Sequence, residues 1–193
     1  MGKEFELKYA ATAADLAAIQ ATLQGQYTAL RMETTYYDAK DSSLSARKWT
    51  LRRRLENGVS VCTLKTPAQG LGRNEFECIS PSIEAAISEL CKLSNSEELH
   101  RLTAGGIVTV CGARFTRLAC LLNLEDGNVE LALDQGVLFG GGRELSFAEV
   151  EVEQKTAGEV ATVAFARELA ARFGLHPEPK SKFQRGLELA KGV

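Results

Sequence analysis

The stretch "EFELK" at residues 4–8 is the one on which the fold turns. As a strand it sends Glu4, Glu6 and Lys8 to one face and Phe5, Leu7 and Tyr9 to the other, because side chains alternate along an extended chain. A half-buried strand gives its apolar face to the core and its charges to water. Whether these charges meet bulk water or an enclosed space depends on the other strands.

Five further stretches repeat the pattern. Arg52 and Arg54 oppose Leu51, Arg53 and Leu55, and Thr63 and Lys65 oppose Cys62 and Leu64. Arg73, Glu75 and Glu77 oppose Phe76 and Cys78; Glu130 and Asp134 oppose Leu131 and Leu133. In "EVEVE", Glu149, Glu151 and Glu153 oppose Val150 and Val152, and Arg117 faces away from Leu118, Cys120 and Leu122. One charged face is ordinarily a solvated one. Several faces of nearly pure sign are a different matter, since like charges at alternate positions repel unless an opposite charge lies between them.

Closing these strands into an eight-stranded antiparallel β-barrel with the charged faces inward meets both needs. Such a bore admits a small ligand, and the apolar faces turn outward beneath helices. Carboxylates inside would hold Mg²⁺ or Mn²⁺, hard cations that prefer oxygen. Arginine and lysine would grip a polyphosphate. Desolvated unpaired charges cost several kcal/mol each, so an interior of this kind reads as an active site.

The remaining chain supplies the helices. Residues 11–24 carry Leu16, Ile19 and Leu23 at helical spacing, with Thr12 as N-cap and Gly25 as stop. A long strand ends near Asp38 and is followed by a polar turn; Asn57-Gly58 marks a hairpin. A strand over "GRNEFECIS" precedes a helix that begins near Pro81, and residues 94–105 are ambiguous between helix and loop. Strands at about 106–123, 128–139 and 145–155 follow, the last after a flexible "GGGR". Two helices, over "GEVATVAFARELAARFGL" and "SKFQRGLELAKG", close the chain and are expected to pack outside the barrel. The order predicts a single α+β domain over residues 1–193.

Composition narrows the function. With 23 Lys+Arg against 25 Asp+Glu the chain lacks the basic excess of a nucleic-acid binder. No apolar run approaches the roughly 20 residues that span a bilayer, no signal peptide is expected, and Glu6 stands where a myristoylation motif wants Ser or Thr. Five cysteines without a CxxC pair predict buried free thiols in the cytoplasm. His100 and His176 are isolated in the sequence and receive no role, and "GLGRNE" lacks the third glycine of a dinucleotide fingerprint.

"EFELK" resembles the ExExK signature of the CYTH superfamily, the triphosphate tunnel metalloenzymes. "YYDAKDSSL", "LRRRLENG", "TLK", "RNEFE", "LALDQG", "EVEVE" and "SKFQRG" follow in the family's order and carry the resemblance to about residue 188. It implies an eight-stranded tunnel and metal-dependent chemistry on triphosphates, with Glu4 and Glu6 joined by Glu149 and Glu151 as metal ligands and by Asp134 and Glu75 as contributors. Lys8, Arg52, Arg54, Lys65, Arg73, Arg117, Lys182 and Arg185 are implied as phosphate ligands, Lys8 and Lys65 within the catalytic set beside Glu4 and Glu6. Glu77, Glu130 and Glu153 are left without a role.

Within the family, "LRRRLENG", "LDQG" and "SKxxRG" look most like bacterial inorganic triphosphatases, and no CHAD domain is expected. The expected partner is a small triphosphate, with tripolyphosphate ahead of thiamine triphosphate and nucleotides. Class IV adenylate cyclase, a non-catalytic polyphosphate sensor and a purely structural barrel are the alternatives. Trp49 is read as packing outside the barrel, in preference to stacking on an organic substrate, and a homodimer through the outer faces stays open.

Overall fold

The computed structural model describes residues 2–23, 25–68 and 72–193. Gln24, where the first helix was expected to end, and Gly70 and Leu71 of "GLGRNE" lie outside them. The fold is α+β: one large antiparallel sheet with helices laid on it.

The strands are β1 (Gly2–Glu4), β2 (Glu6–Ala10), β3 (Thr28–Ala39), β4 (Thr50–Glu56), β5 (Val59–Pro67), β6 (Arg73–Ile79), β7 (Ile107–Leu124), β8 (Gly127–Gly140), β9 (Arg143–Gln154) and β10 (His176–Pro177). Their order is β1-β6-β5-β4-β3-β7-β8-β9-β2-β10. Among the described residues, the expected closed barrel of eight strands is therefore corrected to ten strands in a sheet that hydrogen bonds do not close. The reason lies at Phe5, which interrupts the N-terminal run. On one side of it β1 pairs with β6, and on the other β2 pairs with β9. The two flanks of the sheet are joined by continuous chain where an unbroken hydrogen-bonded ladder was expected.

Local chemistry explains the elements. Asn57 and Gly58 both take positive φ, 49° and 91°, so that β4 and β5 meet in the tight hairpin turn whose twist matches the strands. "GGGR" is a turn of the same kind. Gly141 and Gly142 have φ of 58° and 76°, and Gly140 pairs with Arg143. Helix α1 (Ala13–Thr22) opens with a Thr12–Asp15 capping box, as its sequence predicts. A short α2 (Ser43–Ala46) occupies the expected polar turn, and α3 (Ile83–Ser94) takes Ser82 as N-cap, with Pro81 before it. The ambiguous stretch contains α4 (Glu98–Thr103), and α5 (Glu159–Phe173) ends on Gly174.

Two apolar layers cover the outer face. Leu131, Leu133, Val150 and Val152 meet Leu16 and Ile19 of α1 and Ala166 and Leu169 of α5. Leu51, Cys62, Leu64 and Phe76 meet Ile83 and Leu90 of α3 and Leu99 of α4, with Trp49 packed beside them.

Helix α6 (Lys182–Lys191) departs from expectation, because it lies against the concave face. Its Leu189 packs on Met32, Phe115, Leu138 and Phe147, and its Phe183 and Leu187 pack on Tyr36 and Cys111. Those strand residues share alternation with the charged faces. One end of the interior is thus apolar, and α6 fills it. Gly186 allows the approach: a Cβ there would stand 2.8 Å from Cys111 Sγ.

Candidate active site

The register of the sheet brings the charged faces together. Glu4 pairs with Arg73, Glu6 with Glu153 and Lys8 with Glu151. Lys65 is flanked by Thr50 of β4 and Glu75 of β6, and Asp134 by Arg117 of β7 and Glu149 of β9. Between them lies a cavity of about 300 Å³.

Glu4, Glu6, Lys8, Arg52, Arg54, Lys65, Arg73, Glu75, Arg117, Glu151 and Lys182 all line this cavity. Asp134, Glu149 and Arg185 do not; they form a layer beneath it. Glu56 and Lys155 also line it and were missed, although each continues an alternation already visible, Arg52-Arg54-Glu56 and Glu151-Glu153-Lys155. Glu77 and Glu153, left without a role, are lining residues too. Tyr36, Ser181 and Phe183 enter through α6 and its contact with β3, the Tyr36 and Phe183 rings lying 5.2 Å apart and tilted by 39°. Strand alternation gives no signal for the latter two.

An ionic network joins this layer to Arg117, Glu151 and Lys182 on the cavity floor. Asp134 and Glu149 are fully buried. Lys182 Nζ donates to Asp134 Oδ2 at 2.7 Å and to Glu151 Oε1 at 2.8 Å, and also contacts Glu149. Arg117 grips Asp134 through Nε and Nη2, each at 2.8 Å, and pairs with Glu151. Arg185 pairs with Glu149. Three acids are matched by three cations, as burial of charge requires.

The upper wall is looser. Lys65 Nζ lies 2.6 Å from Glu4 Oε2 and 3.2 Å from Glu75 Oε1, while Arg52 reaches Glu75 and Glu77 at 3.4 and 3.5 Å. Arg73 donates to Thr50 Oγ1 and to the carbonyls of Lys48 and Lys65, which fixes its guanidinium against the strand ends. Lys155 bridges Glu153 and Glu130.

Titration follows from these surroundings. Glu6 is exposed, but onto the cavity and walled by protein. Burial, then the charges of Glu151 and Glu4, push its pKa up to about 7 against the pull of Lys65 and Lys8; the open surface softens that shift. Burial also acts to raise Glu151, yet Lys182, Arg117 and Lys8 outweigh it and hold the carboxyl well below its usual range. Burial, followed by neighbouring Arg52, lowers Arg54. Arg52 is buried and its Nε has no partner among the described residues. An oxyanion at this point would satisfy that donor and separate two like charges.

Away from the cavity, all five cysteines are free thiols. His176 lies exposed in β10, and His100, isolated in the sequence, stands beside Cys91 and Glu97. No helix is long and apolar enough to cross a membrane among the described residues.

The CYTH domain model matches residues 2–187, a span that takes in every strand of the sheet and the Lys182 and Arg185 positions of α6. The chain belongs to the CYTH family. It is 28% identical over 161 residues to an inorganic triphosphatase of Haemophilus influenzae, a match covering 81% of this chain and 45% of that protein. The chain thus spans about half the length of that curated relative. Among solved structures, HpAC1 from Hippeastrum superposes with a TM-score of 0.68 at 17% identity, covering 98% of this chain and 96% of that one. PH1819 from Pyrococcus horikoshii superposes with a TM-score of 0.67 at 21% identity, covering 96% and 98%. These superpositions establish the shared fold.

Proposed function

We propose that the chain is a divalent-metal-dependent triphosphatase, with inorganic tripolyphosphate as the favoured substrate, hydrolysed to pyrophosphate and phosphate in the ionic cavity. The observation that carries this reading is the cavity wall itself. Glu4, Glu6 and Glu151 stand on it with Lys8, Arg52, Arg54, Lys65 and Arg117, so one space offers donors for a hard cation and for phosphate oxygens. The inorganic triphosphatase of H. influenzae and HpAC1, described as having a dominant triphosphatase activity, support it. The wall offers Tyr36 and Phe183 as its aromatic groups and little apolar surface for an organic moiety, which favours a bare polyphosphate over thiamine triphosphate or a nucleotide.

The donor set fits Mg²⁺ or Mn²⁺, which prefer carboxylate oxygen. Glu4, Glu6 and Glu151 would hold the ion from the cavity, with Glu75 beside them. Asp134 and Glu149, also expected as ligands, stand behind Lys182; one carboxylate oxygen from each of Asp134, Glu149 and Glu151 falls within 4.8 Å of the others. When bound, the ion neutralises phosphate charge and lowers the pKa of a bound water. The chain's own part is positioning. Arg52, Arg54 and Arg117 orient the phosphates, and Lys8 and Lys65 offset charge on the departing pyrophosphate as water attacks the terminal phosphorus in line. Lys182, on the cavity floor, and Arg185, beneath it, hold the acids in place.

Phosphate release from tripolyphosphate, ATP and thiamine triphosphate, with and without Mg²⁺ or Mn²⁺, tests the reading. Metal-dependent release, fastest with tripolyphosphate, is expected. Tight binding without release from any of them would leave a polyphosphate sensor. A thermal midpoint indifferent to tripolyphosphate would leave a structural sheet, since a ligand of the native state raises apparent stability.

A further inference from the structure

A second group of ligating side chains lies on the far side of the sheet, where α3 turns into α4. One ligand atom from each of Cys91, Glu97 and His100 falls within 4.8 Å of the others. Cys91 is near the end of α3, Glu97 is the N-cap residue of α4, and His100 lies one turn into α4. The tight turn at Asn95, with φ of 50°, brings the two helices to this approach.

Two details separate the group from a chance cluster. Glu97 holds the N-cap position yet makes no side-chain cap hydrogen bond, so its carboxylate is not committed to the helix. His100 Nε2 is 3.3 Å from Ser88 Oγ, which leaves Nδ1 for another partner. Histidines that ligate metal commonly engage their second nitrogen in this way.

We propose that Cys91 Sγ, His100 Nδ1 and a Glu97 oxygen form a site for a borderline-soft divalent cation of the zinc class, with water completing a tetrahedron. Thiolate and imidazole select such ions over Mg²⁺, so the site is chemically distinct from the carboxylate-lined cavity. Bonds of about 2.0–2.3 Å place tetrahedral ligand atoms roughly 3.5 Å apart. Glu97 and His100 are exposed and can close that gap by side-chain rotation, while Cys91 is buried and serves as the fixed point. On binding, the thiol proton passes to solvent and a metal–sulfur bond forms, with no change of oxidation state. The ion would clamp α3, which covers the outer face of β5 and β6, whose inner faces carry Lys65 and Glu75.

Cobalt(II) titration of the full chain, after chelator treatment and with saturating Mg²⁺ present, tests this. The expected result is a thiolate-to-cobalt charge-transfer band that saturates at one ion per chain and is displaced by Zn²⁺. Cys91→Ser should abolish the band, and His100→Ala and Glu97→Gln should each weaken binding about tenfold or more. The latter two change exposed side chains and keep the test valid if Cys91→Ser misfolds. Absence of the band in the unaltered protein, its survival in Cys91→Ser, or indifference to both His100→Ala and Glu97→Gln overturns the proposal.

Discussion

Lys182 Nζ, on the floor of the cavity it helps to line, lies 2.7 Å from Asp134 Oδ2, so a side chain expected to meet phosphate is also the counter-ion of a fully buried carboxylate. The same ammonium serves Glu149 and Glu151. Burial opposes its charge, yet the three acids together raise its pKa well above the lysine range.

Removing that charge should therefore be costly. Lys182→Met leaves buried acids short of one cation and is expected to cost about 3–5 kcal/mol, seen as a lower denaturation midpoint. Because those acids sit close enough to share a cation, Mg²⁺ should recover more stability in the variant than it adds to the unaltered protein. An unchanged midpoint would remove the network from the stability of the fold.

Glu4→Gln and Glu6→Gln test the opposite surface. Each removes one anionic donor from the cavity wall while keeping its shape; without metal, Glu4→Gln should lower the midpoint by unpairing Lys65, whereas Glu6→Gln should raise it at neutral pH by removing a carboxylate that burial disfavours. Loss of cation-borne charge stabilisation worth several kcal/mol predicts a fall in turnover of about 100-fold or more. Near-normal hydrolysis in both variants would reject their metal role.

The site was readable where strand alternation carries it. "EVEVE" and "LRRRL" declare an inner face at every second residue, and Glu56 and Lys155 extend the same rows. Alternation states which side chains share a face; it says nothing about depth. That is why Asp134 and Glu149 read like Glu151, although the first two lie beneath Lys182. The place of α6 was not readable for a related reason. Phe183 and Leu187 suit either face of a sheet, and the choice depends on Met32, Phe115, Leu138 and Phe147 lying together inside one end, which only the assembled register reveals. The interruption at Phe5 was hidden as well, since two short strands that pair with different flanks have the pattern of one.

Acid–base behaviour supplies a third prediction. In the metal-free protein Glu6 has its pKa raised from 4.5 to about 7. Below pH 4.5 it is protonated folded or unfolded and has no effect. Between 4.5 and about 7 the unfolded chain ionises first, so stability should fall as pH rises through that window. Glu151 works in the other sense: its depressed pKa gives stability that is present above the ordinary carboxyl value and lost as pH drops below it. Thermal midpoints measured in chelator across pH should show both trends. Glu6→Gln should flatten the upper one alone, and a midpoint that rises between pH 4.5 and 7 would refute the assignment.

The seat of α6 can be tested by a single methyl group. Gly186 faces Cys111 of β7, and a Cβ would come within 2.8 Å of its Sγ and 3.0 Å of its Cβ. Gly186→Ala must therefore push α6 off the sheet or shift the strand, an overpacking expected to cost about 1–3 kcal/mol despite alanine's better helix propensity. The displacement would carry Lys182 and Arg185 away from their acids, so turnover should fall beyond what lost stability explains at a temperature where the variant is folded. Adding Cys111→Ala removes the nearer obstacle, the sulfur, and should restore part of both losses. If Gly186→Ala is as stable and active as the unaltered protein, the helix is not held against β7 in the way its packing indicates.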